Sequence, residues 1–228
     1  MCKIIGIANS SKYNRKALAW LLAKTIEEHK RGTDINKFKL LWTEWLNEDS
    51  AEHGSTEHVI LDSFGEHILS QVKLFCPVLI PYDLEDTNTL ESVWINPYTF
   101  ELSTGPQPEI SAQDLYKTKT TDCWMTVGQF IMYFAHYVMK GAFGERVWLN
   151  IATSTAIAMD TDDVRIYWDC KTQAEIDYIV ASGGKIIKVL PGENDIFGNN
   201  IEINPNTIID FDNINELAEE IFEFTKKI

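Results

Sequence analysis

The stretch that decides the fold is "VRIYWDCKTQAEIDYIVASGGKIIKVL", residues 164–190. VRIYWD (164–169) reads as a buried strand. TQAE (172–175) pairs a threonine with a glutamate three residues on, the capping-box signature of a helix start. Ile176, Ile179 and Val180 follow at helical spacing. Gly183-Gly184 stop that helix, and KIIKVL (185–190) is the next strand. A strand, a short helix and a second strand form a βαβ unit, which favours a parallel sheet.

Working outward, NTIIDF (206–211) is a last strand, and Asn213 caps a final helix carrying Ile214, Leu217, Ile221 and Phe224. Upstream, TVGQ (126–129) is a second capping box. Val127, Phe130, Ile131, Phe134, Ala135 and Val138 then form a helical stripe that Gly141 can end. A further helix follows FGERVW and runs through about Ala158. HVILDSF (58–64) reads as a strand leading into a helix near His67–Phe75, broken by Pro77 and Pro81. At the start, residues 3–8 form a short buried strand. Arg15 to Arg31 form a helix with Ala17, Leu18, Leu21, Leu22 and Ile26 on one stripe, Asn14 as N-cap and Gly32 as C-cap. Residues 33–57 read as an irregular excursion with a short helix around LLWTEWL. Residues 83–122, with Pro97, Pro106 and Pro108, read as loop. There is no internal repeat. Strands alternating with helices imply an α/β fold with helices on both faces of a mostly parallel sheet. The expected organisation is one domain over 1–228, with irregular insertions near 33–57 and 77–122.

Composition narrows the function. The 228 residues are 45% hydrophobic and 24% charged, a globular balance. A formal net charge of −14 argues against a nucleic-acid or anionic-membrane surface. No apolar stretch approaches the ~20 residues of a membrane span, and no signal-peptide pattern is expected at the start. Cys2, Cys76, Cys123 and Cys170 are widely spaced, which points to reduced core residues in a cytoplasmic protein rather than a disulfide scaffold or zinc site.

In such folds ligands bind beyond the carboxyl ends of the strands. Two ends stand out: the opening loop after Ile7, and Asp169. The opening run GIANSSKYNRKALA (6–19) has the strand–turn–helix layout of a phosphate-binding loop. The pattern G-x-x-x-x-G-K-[ST] fails, because Asn9 and Asn14 stand where glycine is wanted. Asparagine tolerates the left-handed region better than most residues, so a backbone nest at Asn9, Ser10, Ser11, Lys12 and Asn14 is compatible with the sequence. Lys12, Arg15 and Lys16 place three cations at a helix N-terminus, where they oppose the helix dipole. In so acidic a chain, an anion among them makes sense of that. From this stretch alone, a solvated basic turn is the simpler reading.

Several segments together resemble the phage-type deoxynucleoside monophosphate kinases. IIGIANSSKYNRKALAWLL fits their opening strand, G-x-x-x-S-G-K-D-T loop and helix without a gap. VILDSFGEHILSQVKLF resembles their second strand and F-A-x-P-[IL]-K helix. TVGQFIMYFAHYVMKGAFGERVW resembles their T-V-R-x-L-[LM]-Q-x-L-G-T-[DE] helix and F-G-x-x-x-W turn. VRIYWDCKTQAEIDYIVASGGKIIKVLPG resembles their V-I-x-D-V-R-x-x-x-E-x-x-x-I…G-G-x-V-I-x-V-x-R-P-G block. The resemblance implies a P-loop kinase fold and transfer of the ATP γ-phosphoryl group to a deoxynucleoside monophosphate with magnesium. Arg15, Lys12 and Lys16 would stand at the phosphates, Asp169 near magnesium and Lys171 at a phosphate; Ser10 or Ser11 would supply a magnesium hydroxyl. No residue is assigned as a protein metal ligand. Asp169, Glu175 and Trp148 match the pattern.

Other positions depart from it. Arg15 replaces the loop lysine and Ala17 the hydroxyl. Leu69, Gly128, Met132, His136, Lys171 and Leu190 replace polar residues that would face ligand. A second expectation is therefore a non-catalytic relative, phage-encoded and acting in the host cytoplasm, that binds a nucleotide or a protein partner. A homodimer is compatible with either. A third is an interaction module with no ligand, using the two insertions as contact surfaces; Trp42 and Trp45 are either a partner surface or, as tryptophans in a small domain usually are, largely buried. Blander readings stand beside these: Asp169 as a capping or turn residue, Lys171 as a solvated lysine, His136 and His67 as core or interface histidines.

Overall fold

The computed structural model describes residues 3–8, 12–47, 54–111, 114–115, 123–154, 163–190, 205, 207–210 and 217–228. Asn9, Ser10, Ser11, Asn213 and Ile214 lie outside the described residues, as does the expected helix beyond Ser154. The chain divides into two compact units, Met1–Phe64 with Thr155–Ile228, and Gly65–Ser154.

The first unit is built on five strands: β1 (Lys3–Ala8), β2 (Val59–Asp62), and then, after three short strands of the second unit (β3–β5, below), β6 (Val164–Cys170), β7 (Lys185–Leu190) and β8 (Thr207–Asp210). Their order across the sheet is β2-β6-β1-β7-β8, and every pairing is parallel. The βαβ unit is present with one difference: β6 and β7 are not neighbours, because β1 lies between them and pairs with both. An apolar first strand buried on both faces is what a central position in a parallel sheet requires.

Alternation along the strands assigns the faces. Ile5, Ile7, Val164, Ile166, Trp168, Ile187 and Val189 share one apolar cluster with α1 (Lys12–Lys30), α2 (Ile35–Trp45) and the final helix (Ala218–Thr225). On the other face lies the helix Gln173–Ala181, whose Ile179 packs on Gly6; a Cβ on Gly6 would come within 2.5 Å of the Ile179 methyl. Helices thus cover both faces, giving a three-layer α/β arrangement.

Several boundaries differ from those expected. The first helix starts at Lys12, not Arg15, so Asn14 stands in its first turn and is not the N-cap. It ends at Gly32 (φ +72°), as anticipated. There Gly32 N–H donates to the His29 carbonyl and Thr33 N–H to the Glu28 carbonyl, the two bonds of a Schellman end. Much of the supposedly irregular 33–57 is α2, capped by the Asp34 carboxylate on Asn36 N–H and Lys37 N–H. Trp42 and Trp45 are buried with Phe38, so the buried alternative holds and they form no contact surface. The polar residues that suggested a loop are the solvent face of this helix. Val180, placed on the buried stripe by spacing, is 55% exposed.

The second unit opens one residue into α3, whose full span is Phe64–Phe75 rather than 67–75, and includes α4 (Thr87–Ser92). A three-stranded antiparallel sheet has the order β4-β3-β5, from β3 (Trp94–Ile95), β4 (Leu102–Ser103) and β5 (Met125–Thr126). The capping box at Thr126 and Gln129 forms as read. The helix it opens does not stop at Gly141. It passes through a π-helical segment, Tyr133–Met139, and ends at Gly144 (φ +87°). Within the unit, the Trp148 indole donates to the Ala135 carbonyl at 3.2 Å, bracing the wide turn.

Candidate functional site

Counted along the chain, the sheet runs 2-3-1-4-5, so the strand order reverses at β1. Connections leaving neighbouring strands diverge at such a point, and the crevice beyond the carboxyl ends is where ligands settle in open α/β sheets. At that edge Ala8 pairs with Cys170 on one side and Lys188 on the other. After three further residues the chain enters α1. Asn9, Ser10 and Ser11 of the proposed nest are those three residues. Lys12 and Asn14 belong to the first turn of α1.

The cations of that helix take different positions. Arg15 is buried and lies close enough to the Cys170 thiol for its charge to act on it. Lys16 is half-buried, its ammonium 5.7 Å from the Trp168 ring centroid, a cation–π distance. Lys188, which sequence reasoning passed over, is half-buried beside Ala8 on the face opposite the Ile5–Ile7 core. Only the register of a parallel β1–β7 pair brings it there.

Asp169 is buried at the end of β6. Its Oδ2 accepts the Ser63 hydroxyl at 2.6 Å, and its Oδ1 accepts Phe64 N–H at 2.8 Å. These are the first groups of α3, so Asp169 satisfies donors that a helix start leaves orphaned. The capping alternative raised for Asp169 is realised across strands rather than within its own turn. Beside it, Ser63 N–H donates to Asp62 Oδ1, and Asp62 Oδ2 is 2.7 Å from the Arg165 guanidinium. Tyr167 stacks on Phe64 with ring centroids 4.3 Å apart, and burial pushes its hydroxyl up to about 12. Ser63, Asp62 and Arg165 were also passed over. The available signal was a charged residue inside an otherwise apolar strand, which demands a buried partner.

Glu175 completes the cluster. Its Oε2 accepts Lys171 N–H at 2.7 Å and Thr172 N–H at 2.9 Å, closing the capping box. Burial raises its carboxyl to about 7, the Asp169 charge adds to this, and the two N–H groups oppose it. The same burial and the same two carboxylates lift the Cys170 thiol well above its usual range, with Arg15 opposing. Lys171 contributes its main-chain N–H to this box, and a carboxyl raised to about 7 can exchange a proton near neutrality.

The residues fit an anion better than a metal. Arg15, Lys16 and Lys188 stand at this edge, while both Asp169 oxygens already accept protein donors and burial raises the Glu175 carboxyl to about 7. In the second unit, Gly128 packs against α4: a Cβ there would lie 3.2 Å from the Leu90 carbonyl oxygen, which leaves little room for a longer side chain.

No protein-family model, curated protein or solved structure matches the chain.

Proposed function

We propose that this is a P-loop kinase-like nucleotide-binding protein that retains phosphate binding at the carboxyl edge of β1 and has lost most of the transfer chemistry. The observation that carries this reading is the position of the opening connection. It leaves the central strand at the topological switch point and feeds directly into a helix whose first five residues include Lys12, Arg15 and Lys16. Main-chain N–H groups at a helix start together with cations favour a phosphate there. The five-stranded parallel order with β1 central supports the resemblance to the deoxynucleoside monophosphate kinases. The engaged oxygens of Asp169 favour the binder over the catalyst, because both already accept protein donors. ATP or a deoxynucleoside monophosphate is the ligand class, in a cytoplasmic setting, and a homodimer or protein partner would read out its occupancy.

Glu175 favours a second reading, residual phosphoryl transfer. A carboxyl poised near pH 7 can accept a proton from an attacking hydroxyl or phosphate. Such transfer rests on positioning and neutralised charge, and losing one donor to the transition state slows it by a factor of about a hundred to a thousand. Calorimetric titration with ATP and each deoxynucleoside monophosphate, with and without magnesium, and a coupled assay for ADP release separate the two. Saturable binding with ADP release at background supports the binder. Release that falls in Glu175→Gln supports the residual kinase. No binding of any nucleotide overturns both.

A further inference from the structure

The amino ends of the parallel strands carry a second candidate, within the first unit alone and independent of the nucleotide reading. Glu57 and His58 stand immediately before β2, and Glu27 stands near the end of α1. A carboxylate oxygen from each glutamate and a ring nitrogen of His58 all lie within 4.8 Å of one another. Two carboxylates and an imidazole are a ligand set for a transition metal of the zinc class. Glu57 is exposed and His58 half-buried, so an ion can enter from solvent, and the Glu57 side chain is free to close on it.

Glu27 carries the argument. It is only 5% exposed. Its Oε1 accepts both the Thr56 hydroxyl and His58 N–H, each at 2.7 Å. Among the described residues nothing donates to its Oε2, and no lysine or arginine pairs with Glu27 or Glu57. Two donors on one oxygen hold the carboxylate in place without neutralising it. A buried charge calls for an opposite charge or a metal. The frame around it is already fixed: Thr56 N–H donates to the Val59 carbonyl at 2.9 Å, and Val164 N–H to the His58 carbonyl at 3.0 Å. The Asp163 carboxylate, 3.8 Å from His58 Nδ1, adds further negative charge beside the ring.

We propose that Glu27, Glu57 and His58 bind a divalent transition-metal ion of the zinc class, with water in its remaining positions. Such an ion ties the end of α1 to the connection that enters β2. The imidazole selects against magnesium, which prefers oxygen ligands and holds its water. The test is calorimetric titration of zinc chloride and of magnesium chloride into the full chain after treatment with a chelator. Zinc is expected to bind saturably, one ion per chain, with a Kd below about 100 μM. Magnesium is expected to bind at least about tenfold more weakly. Glu57→Gln and His58→Ala alter side chains outside the core and should each weaken zinc by about fivefold or more. Glu27→Gln keeps an oxygen for the Thr56 and His58 donors but removes the charge, and should weaken zinc as much. Zinc should also raise the melting temperature of the parent, and by less in each variant. A zinc Kd above about 100 μM, magnesium within about tenfold of zinc, or a loss below about fivefold in either Glu57→Gln or His58→Ala would overturn the proposal.

Discussion

The two faces of β6 do opposite work with alternate residues of one seven-residue strand. Val164, Ile166 and Trp168 join the apolar cluster beneath α1 and α2. Arg165, Tyr167 and Asp169, all buried as well, face a polar network with Asp62, Ser63 and Phe64. The apolar face gains stability from area removed from water and is indifferent to which apolar neighbour it meets. The polar face gains specificity instead: each group has a named partner, and removing one strands the other. The difference teaches why the strand end is suited to a site. Its geometry is set by directional bonds, and its apolar back is rigidly packed.

The contrast can be broken most sharply at Arg165. Arg165→Ala leaves the half-buried Asp62 carboxylate without its guanidinium and should destabilise the protein by about 2–4 kcal/mol in urea unfolding. The double variant Asp62→Leu with Arg165→Met should lose far less, since exchanging a whole buried pair for apolar residues is often neutral. A loss below about 1 kcal/mol for the single variant would mean the polar face is solvated and the contrast false. On the apolar face, Ile166→Ala should lose about 3 kcal/mol by cavity formation, with no rescue from any charge change nearby.

Glu175 sharpens the comparison through pH. Its carboxyl stands at about 7 in the folded chain against an ordinary 4.5, so the folded state binds that proton more tightly. The contribution to stability is therefore present at low pH and lost as pH rises from about 4.5 through about 7. Glu175→Gln preserves the capping geometry and should be more stable than the parent at pH 8 by roughly 2–3 kcal/mol, with the gap closing at pH 4. A constant gap across that range would remove Glu175 as a near-neutral acid. Asp169→Asn should lose about 1–2 kcal/mol, because one of two charge-assisted bonds to Ser63 and Phe64 becomes a neutral or mismatched contact. The smallest effect belongs to Gly6→Ala, about 1 kcal/mol. The new methyl meets the flexible ends of Ile179 and Ile186, which can shift.

Much of the framework was legible before any coordinates. The capping boxes at Thr126 and Thr172 and the Gly32 helix end are local chemistry and formed as read. So did the parallel sheet. What was not legible depends on residues far apart in sequence. The insertion of β1 between β6 and β7, the position of Lys188 beside Ala8, and the capture of the α3 start by Asp169 all arise from pairing across the sheet. Helix α2 was read only in part, as a short helix around LLWTEWL; its first residues were missed because its exposed face is so polar that the buried spacing of Phe38, Trp42 and Trp45 did not stand out. The end at Gly144 rather than Gly141 follows from the π-helical segment, which shifts the phase of everything after it.

The central claim is that the carboxyl edge at β1 holds a nucleotide phosphate. Amide chemical shifts recorded while ATP is titrated into the full chain test it most directly. Saturable shifts clustered at Ala8, Lys12–Lys16, Lys188 and 169–172 are expected, with the amides around His29 unmoved. Shifts scattered over the surface, or confined to the amino edge of the sheet, would contradict it.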